Sequence, residues 1–421
     1  MTSRERIIEA LNHRETDRVP LDLGGGGVVC GMHVSTVYKL RQALRLDPPG
    51  TPVKVVEPSQ MLGEIKPDLL EAVGGDVVNV HLRNAKFGIP LEDWKPWTLF
   101  DGTPVLVPGL FNTEPDADGG VSQYPQGDRA CGPSMKMPKD GFYFDGISRQ
   151  GEIDDGNLNP LDNCEEFGLY SDGDIAYLKR QMDDVRGLGK AVFLSLGGMG
   201  FGDVGSVTGP ALKHPKGIRD VAEWYMSLSM RPDYVAAVFE RQCEVAIANL
   251  ERVHAALGDE PVAIYVSGTD FGAQNGPLIA PRKYRTLFKP YQKRINDWLH
   301  EHTAWKAFMH SCGSILPFIP DMIEAGWDII NPVQTSAENM DPRELKAKFG
   351  DRVTFWGGGV DTQHTLPTAT PDEIRAEVRR NLEIFAPGGG YVFNPIHNVQ
   401  SGVPVENLLA MYETVRNYKA C

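Results

Sequence analysis

An alternation in the second half of the chain limits its fold more than any other feature. From Gly173 onward, apolar runs rich in β-branched and aromatic residues take turns with segments of helical period. The runs are Ala191–Leu196, Ala263–Ser267, Lys306–His310, Asp328–Pro332, Val353–Trp356 and Gly390–Asn394, and helices are expected at about 176–187, 218–227, 233–256, 283–301, 315–325, 342–348, 372–385 and 405–418. Strands separated by single helices are joined by parallel crossovers. Seven or eight such units in one chain predict a (β/α)8 TIM barrel of class α/β. Upstream, Val77–Val80 reads as another strand, with helices expected at 4–11, 34–46 and 61–73. The extended stretch Asp17–Leu23 runs into Gly24-Gly25-Gly26-Gly27. These glycines lack the Gly-Lys-Ser/Thr close of a P-loop and the spacing of a dinucleotide fingerprint, which weakens the open-sheet alternative.

Residues 85–165 differ in kind. They carry eight prolines between Pro90 and Pro138, many glycines and aromatics, and no helical period. Short strands are expected at Thr103–Val107 and Gly141–Asp145, so this stretch reads as an inserted β-rich subdomain or lid, with residues 1–84 and 166–421 forming the barrel. Phe142, Tyr143 and Trp97 would either shape an aromatic pocket or form the insertion's own small core.

Lys plus Arg number 42 against 56 Asp plus Glu, a net charge of −14, which repels phosphate backbones and anionic lipid heads. Nucleic-acid and membrane partners are therefore not expected, and the N-terminus has no signal-peptide core, so a cytoplasmic protein is expected. The six cysteines (Cys30, Cys131, Cys164, Cys243, Cys312, Cys421) lack paired spacing and suggest no disulfide framework.

In a barrel of this type the chemistry sits at the carboxyl ends of strands. Polar residues that end apolar runs are Asp270, His310, Cys312, Gln334 and His397. His310-Ser311-Cys312 is the sharpest local signal, because side chains two apart on a strand share a face. One imidazole and one thiolate then converge, a pair that suits zinc. A catalytic zinc usually has three protein ligands and an open position, and His397 is the natural third. The competing reading is a core histidine beside a buried cysteine.

The motifs as a set resemble the uroporphyrinogen decarboxylase superfamily. They are Ser3-Arg4-Glu5-Arg6 with Thr16-Asp17-Arg18-Val19-Pro20, Asp270-Phe271-Gly272-Ala273-Gln274-Asn275-Gly276-Pro277 with Pro281 and Tyr284, His310-Ser311-Cys312-Gly313, Gly357-Gly358-Gly359-Val360-Asp361, and Pro404-Val405-Glu406-Asn407-Leu408. The His-x-Cys element is similar to the cobamide-dependent methyltransferase branch, whose zinc site is completed by a cysteine nine residues before a Glu-Asn pair. Here that position is His397, ahead of Glu406-Asn407, a substitution that keeps a zinc ligand but makes the site harder. The decarboxylase branch carries an Arg-Gln-Ala-Gly-Arg motif after the first strand, for a substrate with eight carboxylates. The look-alike Arg41-Gln42-Ala43-Leu44-Arg45 lies later, in a helical pattern, and reads as a solvated helix face.

The resemblance thus implies a zinc-dependent, corrinoid-linked methyltransferase. His310, Cys312 and His397 would hold the metal, Asp270 would act as the catalytic acid or orienting group, and His33, Gln274, Gln334 and Asp361 would line the substrate pocket. The expected partners are a small methyl donor or acceptor, leaning towards a methoxylated or ether oxygen, and a corrinoid-carrying protein. The rivals are a metal-dependent decarboxylase or lyase of a small acid, and a non-catalytic binding protein on the same barrel.

Overall fold

The computed structural model describes residues 1–196 and 201–419, which leaves Cys421 outside it. Seven parallel strands form the central sheet in chain order: β1 (Val77–His81), β2 (Ala191–Ser195), β3 (Pro261–Ser267), β4 (Lys306–His310), β5 (Ile329–Asn331), β6 (Thr354–Trp356) and β7 (Tyr391–Val392). The sheet curls into a TIM-like barrel. Its eighth position is filled by the extended segment at Leu21, which bridges Phe393 beyond β7 in parallel and whose carbonyl accepts from Asp76 N ahead of β1 at 2.8 Å. Asp22 N and Phe393 N complete that junction with bonds to Phe393 O and Pro20 O.

Inward-facing residues from successive strands fill the barrel: Val77, Phe193, Ala263, Tyr265, Phe308, Ile329, Trp356 and Val392. Phe193, Phe308 and Trp356 meet edge to face with centroids 4.9–5.8 Å apart, the geometry that the ring quadrupole favours. The helix Ser3–Leu11 closes the amino-terminal end by adding Ile7 and Leu11 to this core. A larger apolar layer lies between the sheet and the outer helices, among them Asp172–Arg186, Pro232–Leu257 and Pro371–Phe385.

Several elements differ from the sequence expectation. The helix expected over 61–73 is only Pro67–Val73: Pro67 cannot sit inside a helix but suits its first turn, and Leu62–Gly63 instead pairs antiparallel with Val53–Glu57. The helix expected over 283–301 passes through a π-turn at Tyr284–Phe288 before continuing as Lys289–His302, where Pro290 has no amide hydrogen to extend an α-helical ladder. The strand expected at Gly141–Asp145 is the two-residue Asp145–Gly146, since a turn from Gly141 N to Pro138 O precedes it.

The proline-rich region contributes a three-stranded sheet (Val121–Gln123, Met135–Met137, Asp145–Gly146) and half of a four-stranded one. The other half comes from Val53–Glu57 and Leu62–Gly63, so the β-rich body also draws on residues before 85. Arg149 ties it to the loop after β2 by donating to Leu212 O at 2.8 Å, while Phe144 N bonds Ser59 O at 2.8 Å within the body itself. Trp97, Phe111, Phe144 and Phe87 meet in series, tilted or edge to face, and form its own core, while Tyr143 is exposed.

Arg41 is not on a solvated face. Its side chain is 1% exposed and makes bidentate bonds to Asp47 and to Asp68. The amphipathic period that suggested exposure could not register two acidic groups brought in from outside the helix Val34–Ala43.

Candidate metal centre at the barrel rim

β4 delivers His310 at its last position, and the tight turn after it brings Cys312 to the same side. Asp270 and His397 arrive on the loops after β3 and β7. The ligand atoms of His310, Cys312 and His397 all lie within 4.8 Å of one another, and His310 Nε2 is 3.3 Å from Cys312 Sγ. A tetrahedral zinc with bonds of about 2.0–2.3 Å separates its ligands by about 3.3–3.6 Å, so this nitrogen–sulfur–nitrogen set fits zinc with small side-chain adjustment.

The protonation states suit the same purpose. Burial lowers His310 to about 4 and His397 to about 3, which keeps both imidazoles neutral and able to donate a lone pair. Burial, with Asp270 beside it, pushes the Cys312 thiol well above its ordinary range, so without a cation it stays protonated. A bound cation would take the place of that proton.

The Asp270 carboxylate accepts from Cys312 N at 2.8 Å, and burial raises its pKa above the ordinary carboxyl range. It therefore braces the turn that carries the thiol. Gln334 braces the same turn by accepting from Gly313 N at 2.7 Å, and donates to Gln274, which in turn bonds Ser336 O. The two glutamines thus support the ligand turn and each other. His33 caps the helix Val34–Ala43: Nδ1 accepts from Ser35 N, and Nε2 donates to Phe142 O at 2.8 Å. Asp361 accepts from Gln363 N and pairs with the exposed His364. Of the eight residues expected in the site, His310, Cys312, His397 and Asp270 come together, Gln274 and Gln334 stand behind them, and His33 and Asp361 serve local turns and caps.

Sequence reasoning missed a second set. A cavity of about 560 Å³ opens at the barrel mouth, lined by Gly27, Asn79, Ser195, Asp203 and Tyr265 among others. Among the described residues, Asn79 Oδ1 and Ser195 Oγ are buried without a hydrogen-bond partner, the condition of groups that await one. Burial pushes Asp203 up to about 6 and raises the Tyr265 phenol, on which Asp203, Asp270 and Cys312 all act, so Tyr265 links the cavity to the metal-ligand side. The glycine run forms part of the cavity wall. A Cβ on Gly27, whose φ is +66°, would stand 2.1 Å from Ser195 Oγ, and one on Gly25 would stand 2.4 Å from Val77. Asn79 and Ser195 each interrupt an apolar strand, and that interruption was the available signal.

The uroporphyrinogen decarboxylase (URO-D) family model matches residues 208–418, the part that holds all three candidate ligands and Asp270. The uroporphyrinogen decarboxylase of Pseudoalteromonas atlantica is 26% identical over 216 residues, 47% of this chain and 57% of that protein. That of Psychromonas ingrahamii is 31% identical over 137 residues, 31% of this chain and 36% of that protein. The match thus spans little more than half the length of these curated relatives, or less. A methyltransferase from Methanosarcina mazei superposes over 99% of this chain and 98% of its own, with a TM-score of 0.55 and 15% identity, a likeness of fold.

Proposed function

This chain belongs to the uroporphyrinogen decarboxylase family, and from that premise we propose that it is a zinc-dependent methyltransferase. It would move a methyl group between a small oxygenated molecule, a methyl ether or methoxylated aromatic, and a corrinoid presented by a carrier protein. The observation that carries this reading is the convergence of His310, Cys312 and His397 at the carboxyl rim, beside a cavity with unpaired polar atoms. Zinc bound there would supply a Lewis acid, taking up the negative charge left on a donor oxygen as methyl leaves, or holding an acceptor thiol as its thiolate before methyl arrives.

The chain's own residues do the remaining work. Asn79 and Ser195 offer hydrogen bonds to a polar substituent of the substrate, while the apolar wall of the cavity receives its body. Asp270, whose carboxyl is raised above the ordinary range by burial, would hand a proton to a departing alkoxide or phenoxide. The fold shared with the Methanosarcina mazei methyltransferase is consistent with this reading.

Decarboxylation of an octacarboxylate porphyrinogen fits less well. Among the described residues lining the cavity, Lys86 is the only lysine or arginine, and Arg41 is already committed to Asp47 and Asp68. An acidic chain of net charge −14 has little else to offset eight carboxylates.

The test supplies the zinc-loaded protein with methoxylated aromatics and free cob(I)alamin and follows methylation of the corrinoid by absorbance. Zinc-dependent methylation with release of the free phenol is expected. Full-rate turnover of any substrate without corrinoid would overturn the reading in favour of the lyase, and a purified chain that takes up no metal would favour a binding protein.

A further inference from the structure

We propose that Asn331 is a positioning residue that fixes which ring nitrogen of His310 carries the proton, and so aims the lone pair of Nε2 at the point shared with Cys312 and His397. The tautomer half of this inference stands on the geometry alone, and the metal half rests on the zinc reading.

Asn331 ends β5 and is the direct Cα partner of His310 on β4, with no solvent exposure. Its amide can face only one way. Nδ2 lies 2.8 Å from the carbonyl oxygen of Trp356, which can only accept, so that atom must be the NH2 group. Oδ1 is then the atom 2.6 Å from His310 Nδ1, and an amide oxygen needs a donor there. Nδ1 therefore carries the proton of the neutral ring, and Nε2 presents its lone pair to the Cys312 thiol 3.3 Å away. The opposite amide orientation would set two carbonyl oxygens against each other at Trp356.

The arrangement is clamped from behind. The second amide hydrogen points to Cys30 Sγ at 3.7 Å, and the Trp356 indole donates to Asp22 at 2.9 Å. Asp22 is itself held by Gly25 N and Gly26 N at 2.7 and 2.9 Å. The glycine run at the barrel mouth is thereby tied through Asp22, Trp356 and Asn331 to the orientation of one candidate ligand. An outer partner that fixes a histidine in this way typically changes metal affinity about 10–100-fold when removed.

The test uses the full chain in two measurements. In metal-free protein labelled with 15N-histidine, ring shifts read the His310 tautomer, with the assignment taken from His310→Gln. Wild type is expected to show protonated Nδ1 and Asn331→Leu to lose that state. Cobalt(II) competition then reads affinity and geometry. Asn331→Leu should bind about 10–100-fold more weakly, with altered visible bands. If the leucine variant fails to fold, Asn331→Ala is read in the same way. A leucine or alanine variant that keeps both the wild-type ring shifts and the wild-type cobalt(II) affinity overturns the inference. A tautomer switch in a protein whose wild type takes up no cobalt(II) or zinc upholds the role of Asn331 and overturns the zinc reading instead.

Discussion

Replacing Arg41 with Met removes a guanidinium that is 1% exposed and leaves two aspartates facing an apolar side chain. Asp47 is 11% exposed and Asp68 45%. Breaking a buried pair by deleting one partner commonly costs about 3–5 kcal/mol, because the remaining charge has no counterpart. Asp68 can recover water, so the lower end, about 3 kcal/mol, is the expected loss. With an unfolding entropy of about 2.1 cal/mol/K per residue, a chain of 421 residues has a slope near 0.9 kcal/mol/K, and the melting temperature should fall by about 3–4 °C. The pH dependence gives a second handle. The Arg41 guanidinium holds Asp47 and Asp68 below the usual carboxylate range, so their contribution is present above about pH 4 and is lost as pH falls through the lowered values. Calorimetry at pH 7 and at a series of lower pH values should therefore show a gap between wild type and Arg41→Met that closes in acid. A gap under about 0.5 kcal/mol at pH 7, or one that persists unchanged at pH 3, would refute the buried double ion pair.

Three further outcomes are expected. Purified protein should hold about one zinc per chain by elemental analysis, and Cys312→Ala or His310→Ala should lose most of it while remaining folded by circular dichroism; full occupancy in both variants would show the ligand set to be wrong. Gly27→Val combines a positive φ with a Cβ 2.1 Å from Ser195 Oγ, and should lower the urea midpoint by the equivalent of about 2–5 kcal/mol, whereas an unchanged midpoint would mean the loop moves freely. The His300 pKa is raised by its hydrogen bond to Asp328, so that pair stabilises below the ordinary histidine value and the effect fades as pH rises through the raised one; His300→Gln, at a site 38% exposed, should cost a few tenths of a kcal/mol at pH 6 and nothing at pH 9 in matched melts.

The sequence carried the features that repeat or lie close together. Alternating apolar runs implied parallel crossovers, and the spacing of His310 and Cys312 implied a shared face. The distant His397 was reached from its place at a strand end and its distance to Glu406-Asn407. What was hidden depended on partners remote in the chain. Arg41 looked solvated because Asp47 and Asp68 lie outside its helix. Asn331 looked like one polar residue in an apolar strand, and its use appears only when β4 and β5 lie in register. Gln274 and Gln334 read from the sequence as polar pocket residues; their hydrogen bonds to the ligand turn and to each other appear only once the loops after β3 and β5 are brought together.

The seam at Leu21 has a consequence for the order in which this molecule can be made. The ring shuts where residues near the start meet residues near the end, as in the bond from Asn394 to the carbonyl of Asp22 across 372 positions of chain. His397 follows that seam by a few residues. During synthesis, β1 to β6 can pair as they emerge, but the third candidate ligand reaches the rim only after the entire stretch from Leu21 to His397 has left the ribosome. A pairing of such long sequence separation is slow to form, so metal capture would be a late event, coupled to closing the circle rather than to building its arc.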